Sequence, residues 1–252
     1  MSVYEIVFSP TGGTKSVSKL FTEVICSERT VIDLCDREQD FSSMVFSIED
    51  LCIVSVPSYG GRIPAVAGAR IRQMKGGGAR AVLIAVYGNR AYDDTLAELQ
   101  DVLTEAGFAC FAAVAAVAEH SIMRQFASGR PDAQDKEELA AFAAKLRMKL
   151  EDAAGALSLP GARPYREYGG VPMKPKAGKA CTKCGLCAKS CPVGAILAAQ
   201  PSETDGKRCI SCMRCVAVCP QKARSVNKAL LSAASLKLKK ACSERKENEL
   251  FL

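Results

Sequence analysis

CTKCGLCAKSCPVGAI, residues 181–196, is answered by CISCMRCVAVCPQKARSV, residues 209–226. Cys181, Cys184, Cys187 and Cys191 stand in the first run, and Cys209, Cys212, Cys215 and Cys219 in the second. A proline, Pro192 or Pro220, follows the last cysteine of each, so both read C-x2-C-x2-C-x3-C-P. Thiolates are soft ligands that suit iron–sulfur clusters. Two residues between ligands let one tight loop present three sulfurs to a cubane, and the fourth cysteine of each run serves the other cluster. The predicted ligand sets are therefore Cys181, Cys184, Cys187 and Cys219 for one cluster, and Cys209, Cys212, Cys215 and Cys191 for the other. Two [4Fe-4S] clusters are the expected cofactors.

A zinc site of paired CxxC units is the first alternative. Zinc chemistry asks for neither the third cysteine at x2 nor the trailing Cys-Pro in both runs. A disulfide framework is the second. It needs an oxidising compartment, and Met1 to Phe8 reads as a short strand without a basic leader region. Residues 177–226 resemble bacterial two-cluster ferredoxins in motif and in internal repeat. Of the 13 cysteines, Cys26, Cys35, Cys52, Cys110 and Cys242 fall outside the runs and show no spacing. Cys52 and Cys110 lie in apolar stretches and read as small core residues.

Working back from the cysteines, residues 155–176 form a Pro/Gly-rich linker, and residues 1–154 are long enough for an independent domain. That domain alternates strands and helices. Val3–Phe8, Thr30–Leu34, Leu51–Val56, Ala81–Tyr87 and Phe108–Val117 read as strands, several of them continuous apolar runs of the kind buried on both faces. Helical patterns run through Val17, Leu20, Phe21 and Val24, then over Pro64–Met74, Asp93–Ala106 and Asp132–Glu151. Asp93–Ala106 places acidic residues in its first turn, where the helix dipole favours them. The fold class that follows is α/β, an open parallel sheet with helices on both faces, followed by a small α+β cluster domain over 177–226. Residues 227–252 supply a C-terminal helix and tail, with an apolar stripe through Leu230, Leu231, Ala234 and Leu238.

Charge divides the chain. Residues 1–154 hold 16 Lys+Arg against 21 Asp+Glu, and residues 155–252 hold 18 against 6. A basic half of this kind can serve nucleic acid, but the interleaved aromatics of a nucleic-acid surface are missing. Two clusters with their thiolates carry negative charge that the lysines and arginines of the ligand loops offset. Opposite signs also favour docking of the two halves. No stretch is apolar enough to span a membrane, and a reducing cytoplasm is the expected location.

In an open α/β sheet the ligand lies beyond the carboxyl ends of the strands. Ser9, Pro10, Thr11, Gly12, Gly13 and Thr14 follow the first strand there and open the first helix. Hydroxyls and amides at a helix N-terminus make an anion site. The loop is neither a Walker A nor a Rossmann fingerprint, and a monophosphate held this way suits FMN. The same residues would also make an ordinary helix cap. Ser58, Tyr59, Gly60, Gly61 and Arg62 follow the third strand, and Tyr87, Gly88, Asn89, Arg90 and Tyr92 the fourth. Each loop sets an aromatic beside a glycine that allows close approach of a planar ring, although packing alone would also explain a tyrosine. SPTGGT, VPSYGGRIP and YGNRAYDD resemble the corresponding loops of flavodoxins. The whole chain resembles a family of fused flavodoxin–ferredoxin proteins of anaerobic prokaryotes. That resemblance implies FMN with its phosphate on residues 9–14 and its ring between 58–62 and 87–92. Many flavodoxins stack a tryptophan on the flavin; this chain has none, so only tyrosine is left for that place. His120, the sole histidine, lies just past the fifth strand.

The expected function is electron transfer between FMN and two clusters, and on to an external redox protein. The alternative is a flavin-dependent reductase of a small molecule, fed by the clusters, with Arg62, Arg90 or His120 over the flavin. A redox or iron sensor would need an output module, and none is legible.

Overall fold

The computed structural model describes residues 1–150 and 157–252. Val3–Val7 (β1), Gly13–Ile25 (α1), Thr30–Asp33 (β2), Leu51–Pro57 (β3), Ala65–Ile71 (α2), Arg80–Tyr87 (β4), Thr95–Glu105 (α3), Ala109–Val117 (β5) and Ala133–Lys149 (α4) alternate along the first part of the chain. Lys176–Ala177 (β6), Leu186–Lys189 (α5), Arg214–Ala217 (α6), Arg224–Ser225 (β7), Lys228–Cys242 (α7) and Glu249–Phe251 (β8) follow. The main sheet runs β2-β1-β3-β4-β5-β8; its first five strands are parallel and β8 is antiparallel. The 2-1-3-4-5 order is the flavodoxin-like form of the doubly wound fold.

Apart from the buried Ser55 of β3 and Arg80 at the start of β4, β3, β4 and β5 are apolar because both their faces are covered. One face packs residues such as Val54, Leu83 and Val117 beneath Ile71 and Leu99 of α2 and α3. The other packs Ile53, Ile84 and Val114 beneath Val17 and Phe21 of α1 and Leu139 of α4. Each fully buried side chain of this size contributes about 1.5–3 kcal/mol. The predicted helix end at Glu151 and the predicted 154/155 boundary fall outside the described residues.

Two expectations are corrected. α3 starts at Thr95 rather than Asp93, which has a φ of 40°. Asp94 stands at the N-cap position but caps nothing: its carboxylate accepts the amide N–H groups of Ala162 and Arg166, each at 2.7 Å. The linker beyond residue 156 is thus laid along α3, where Arg163 pairs with Asp101 and the Arg62 guanidinium stacks on Tyr165. The tail is also more than a tail. β8 adds to the β5 edge, and Asn248 Oδ1 accepts the Val117 amide N–H at 2.9 Å.

α7 carries Leu231, Ala234, Leu238 and Cys242 onto Ile122, Met123 and Phe126 of the first domain and Val171 and Met173 of the linker. Leu230, expected in that stripe, is exposed. Among the described residues, every ion pair that joins the two halves puts the cation on the C-terminal side and the carboxylate on the N-terminal side. These are Arg163–Asp101, Arg166–Asp93, Arg214–Asp33 and Arg245 with both Asp132 and Asp135. Most are exposed and individually weak. Asp135 is fully buried, also paired with Arg130, and bonded by Asn248 Nδ2 at 3.0 Å.

Candidate functional site

The cysteines surround two cavities. Cys181, Cys184, Cys187 and Cys219 line one; Cys191, Cys209, Cys212 and Cys215 line the other. Each cavity takes three thiols from one run and the fourth from the other. Among the described residues no three His, Cys, Asp or Glu side chains converge on a point that one ion would occupy. Four soft donors around a cavity fit a cubane.

The repeat in sequence is a repeat in backbone. Lys183 and Ser211 occupy equivalent positions with φ of 56° and 55°, as do Gly185 and Met213 at 78° and 62°, and Gly194 and Lys222 at 60° and 48°. Left-handed backbone at a non-glycine residue is uncommon and costly, so its recurrence at matched places marks one loop geometry built twice. The amide N–H of Ala195 donates to Cys191 Sγ, and that of Ala223 to Cys219 Sγ, both at 3.3 Å. Such bonds to sulfur tune a cluster's potential. Burial pushes the Cys212 thiol up to about 12 and Cys215 to about 11, so metal binding must displace their protons. Arg224 is a functional candidate that sequence reading missed. It is buried, lines the first cavity, and donates to the Pro201 carbonyl and to Thr204 Oγ1. Nothing local distinguishes it from the exposed cations of the same loops.

A cleft opens at the carboxyl ends of β1, β3, β4 and β5. Its inner part, about 60 Å³, is lined by Pro10, Thr11, Gly13 and Thr14 and floored by Tyr59 and Gly88. Thr14 is buried at the start of α1, whose first amides lack intrahelical acceptors, as in every helix. The outer part, about 400 Å³, shares Ser58, Tyr59, Tyr87, Gly88 and His120 with the inner one and adds Gly60 and Arg90. Its far wall comes from elsewhere: Tyr168 and Met173 of the linker, Ile210 and Ser211 of the second cysteine run, and Leu238 of α7. A phosphate-sized polar end at a helix N-terminus, opening onto a larger chamber lined by Tyr59, Tyr87 and Tyr168, fits a flavin nucleotide.

Two glycines are demanded by this geometry. Tyr168 lies against Gly60, where any Cβ would overlap its ring, and a Cβ on Gly88 would come within 2.7 Å of His120. His120 Nδ1 accepts the amide N–H groups of Ile122 at 3.1 Å and Met123 at 3.2 Å. The neutral ring therefore carries its proton on Nε2. Burial lowers the His120 pKa, and the charge of Arg90 lowers it further against one backbone hydrogen bond. Burial, with Cys212 and Cys35 nearby, raises the Tyr59 phenol well above its ordinary range. Burial also pushes Tyr87 up to about 12.

Several candidate residues are not among those lining the cleft. Ser9 Oγ accepts the Lys15 amide N–H of the first turn of α1 at 2.9 Å. Gly12, with φ of 100°, and the buried Gly61 shape their turns without lining the cleft. Arg62 is bidentate on Glu98 and donates to the Arg166 carbonyl. Asn89 holds the tail, and Tyr92 donates to Glu249. Tyr168 and the Ile210–Ser211 pair line the cleft without having been expected there, because they lie far along the sequence from the loops they face.

The second domain docks by directed contacts. Arg70 donates from Nη2 to the Pro192 carbonyl at 2.8 Å and from Nη1 to the Leu34 carbonyl. Arg214 donates to the Ser9 carbonyl at 3.3 Å. The cavity of Cys191, Cys209, Cys212 and Cys215 is thereby held beside the cleft.

Residues 180–224 match the family described as a 4Fe-4S dicluster domain. No curated protein matches the chain. Among solved structures, a Streptococcus pneumoniae TIGR4 flavodoxin is similar at 19% identity, covering 59% of this chain and 100% of its own, with a TM-score of 0.41. Megasphaera elsdenii flavodoxin gives 16%, 57%, 98% and 0.40. An NADH:FMN oxidoreductase in its apo form gives 14%, 60%, 91% and 0.43. Strand order, rather than these weak likenesses, defines the sheet as flavodoxin-like. The chain is a fusion of a flavodoxin-like domain with a 4Fe-4S domain. Among the described residues no helix is long and apolar enough to cross a membrane.

Proposed function

We propose that this chain is an electron carrier that holds FMN in the cleft and two [4Fe-4S] clusters on its eight run cysteines. The observation that carries this reading is the shared wall: Ser211, between the cluster ligands Cys209 and Cys212, lines the same chamber as Tyr59, Tyr87 and His120. FMN would supply a couple of one or two electrons, and each cluster a one-electron couple.

The residues have distinct tasks in this reading. Thr11 and Thr14, with the first amides of α1, hold the phosphate. Tyr59 and Tyr87 remain protonated phenols across the neutral range and flank the ring. His120 presents an Nε2–H donor. Tyr168 and Met173 close the chamber from the linker side and exclude water. Arg70 and Arg214 fix the Cys191, Cys209, Cys212 and Cys215 cluster against the flavin side.

The reductase reading needs a flavin face open to a small molecule. The linker wall disfavours it, since Tyr168 packs on Gly60 over the chamber. The test is anaerobic reduction followed by stopped-flow spectroscopy of flavin and cluster bands. Internal transfer should be fast and independent of protein concentration. A rate that falls in proportion to dilution would show that the halves do not exchange electrons within one molecule.

A further inference from the structure

One of the eight run cysteines, Cys184, is exposed; the others are buried or partly covered. It lines the cavity remote from the cleft, so the cluster at that cavity reaches the surface there. The patch around it has an apolar centre and a basic rim. Leu186 is 41% exposed, and Pro220 and Gln221 are exposed beside it. Lys179, Lys183 and Lys222 stand exposed around this centre. Backbone pairing brings them together: the Gly178 amide N–H donates to the Ala223 carbonyl at 2.7 Å, and the Cys181 amide to Gly178 at 3.1 Å. Among the described residues none of the three lysines makes an ion pair. One exposed carboxylate, Glu203, lies on this side, on the strand of chain whose carbonyl Arg224 holds.

Other exposed cations of the C-terminal half, such as Lys237 and Lys240 of α7, are also unpaired among the described residues, but they do not surround an exposed cluster cysteine. The basic residues Arg163, Arg166, Arg214 and Arg245 are occupied by carboxylates of the first domain. The lysines at Cys184 are left facing solvent, as hydrated point charges of the kind that steer association over about a Debye length.

We infer that the face around Cys184 is the docking surface for an acidic protein carrying a one-electron iron–sulfur centre. The inference rests on the electron-carrier reading above. Carboxylates around the partner's centre would meet Lys179, Lys183 and Lys222, while apolar atoms cover Leu186. One electron passes between the cluster at Cys184 and the partner's centre; one is oxidised as the other is reduced, and no bond forms or breaks.

The test uses the holoprotein with an acidic bacterial ferredoxin as probe. Binding is read by titration calorimetry on the oxidised proteins, and transfer by stopped-flow mixing after anaerobic reduction. Both should weaken by about tenfold or more as ionic strength rises from about 0.02 to 0.3 M. The Lys179→Glu, Lys183→Glu, Lys222→Glu variant should lose binding to a similar degree while keeping its iron content. An Arg37→Glu, Arg208→Glu variant, altered at the groove beside Pro192 and Gly194, should bind as the parent does. Salt-independent binding, or a loss seen with the arginine variant instead of the lysine variant, would overturn the proposal. Failure of internal transfer in the parent would sink the carrier reading alone, because the binding titration reads the docking surface without any electron moving.

Discussion

Asn89 Nδ2 donates to the Cys242 carbonyl at 2.9 Å, across 153 positions of sequence. It also donates to the Glu244 carbonyl at 2.8 Å, and its Oδ1 accepts the Lys246 amide N–H at 3.1 Å. A buried side chain on the loop after β4 thus satisfies the chain end of α7. Its φ of 65° is in the region asparagine tolerates best after glycine.

Asn89→Ala should leave two carbonyls and one amide without partners. Leaving a buried polar group unsatisfied costs about 1–3 kcal/mol. Amides of residues 246–251 should exchange faster with solvent, while those of β3 and β4 keep their protection. Unchanged exchange at the tail would show that Asn89 does not hold it.

Cys191→Ala should damage the cluster that uses Cys209, Cys212 and Cys215. Iron analysis with paramagnetic resonance of the reduced protein reads which cluster remains. Damage confined to the cluster of Cys181, Cys184 and Cys187 would reject the crossed ligation.

Thr14→Val keeps shape and removes the hydroxyl at the inner end of the cleft. A hydrogen bond to a charged group is worth about 1.5–3 kcal/mol. FMN should bind more weakly by about tenfold or more, with riboflavin nearly unaffected. Equal losses for the two would place the phosphate elsewhere.

His120 is the only histidine, so one pair of imidazole nitrogen resonances reports it. In the oxidised protein Nε2 should carry the proton at neutral pH, and titration should fall below the ordinary value near 6.5. The sign follows from linkage: a base whose pKa is lowered by folding stabilises the fold above its unfolded pKa. That contribution is lost as pH falls below it. A midpoint at or above 6.5, or a proton on Nδ1, would contradict the geometry.

The parallel sheet was legible because β3, β4 and β5 are almost wholly apolar, Ser55 and the edge residue Arg80 apart, and only strands covered on both faces need that. The cluster cysteines were legible because a cubane constrains ligand spacing tightly. Less was visible wherever a contact joins distant segments. Asp93 and Asp94 look like an ordinary helix start, yet both serve the linker some 70 residues on. Leu230 and Leu231 differ by about 100° around a helix, and the sequence does not say which faces inward. Glu249–Phe251 is too short for any strand pattern, and its pairing with β5 depends on where α7 delivers it.

β8 has a topological consequence. Because the main sheet takes strands from both sides of the cluster domain, that domain is an insertion in the sheet and not a pendant at its end. A pendant swings on one hinge. An insertion whose entry and exit are both anchored, by α3 under the linker and by β5 under β8, has no single pivot. Thermal motion must strain two attachments at once to change the separation of the chamber's two walls. A tunnelling distance set in this way varies little from molecule to molecule, and so would the rate that depends on it.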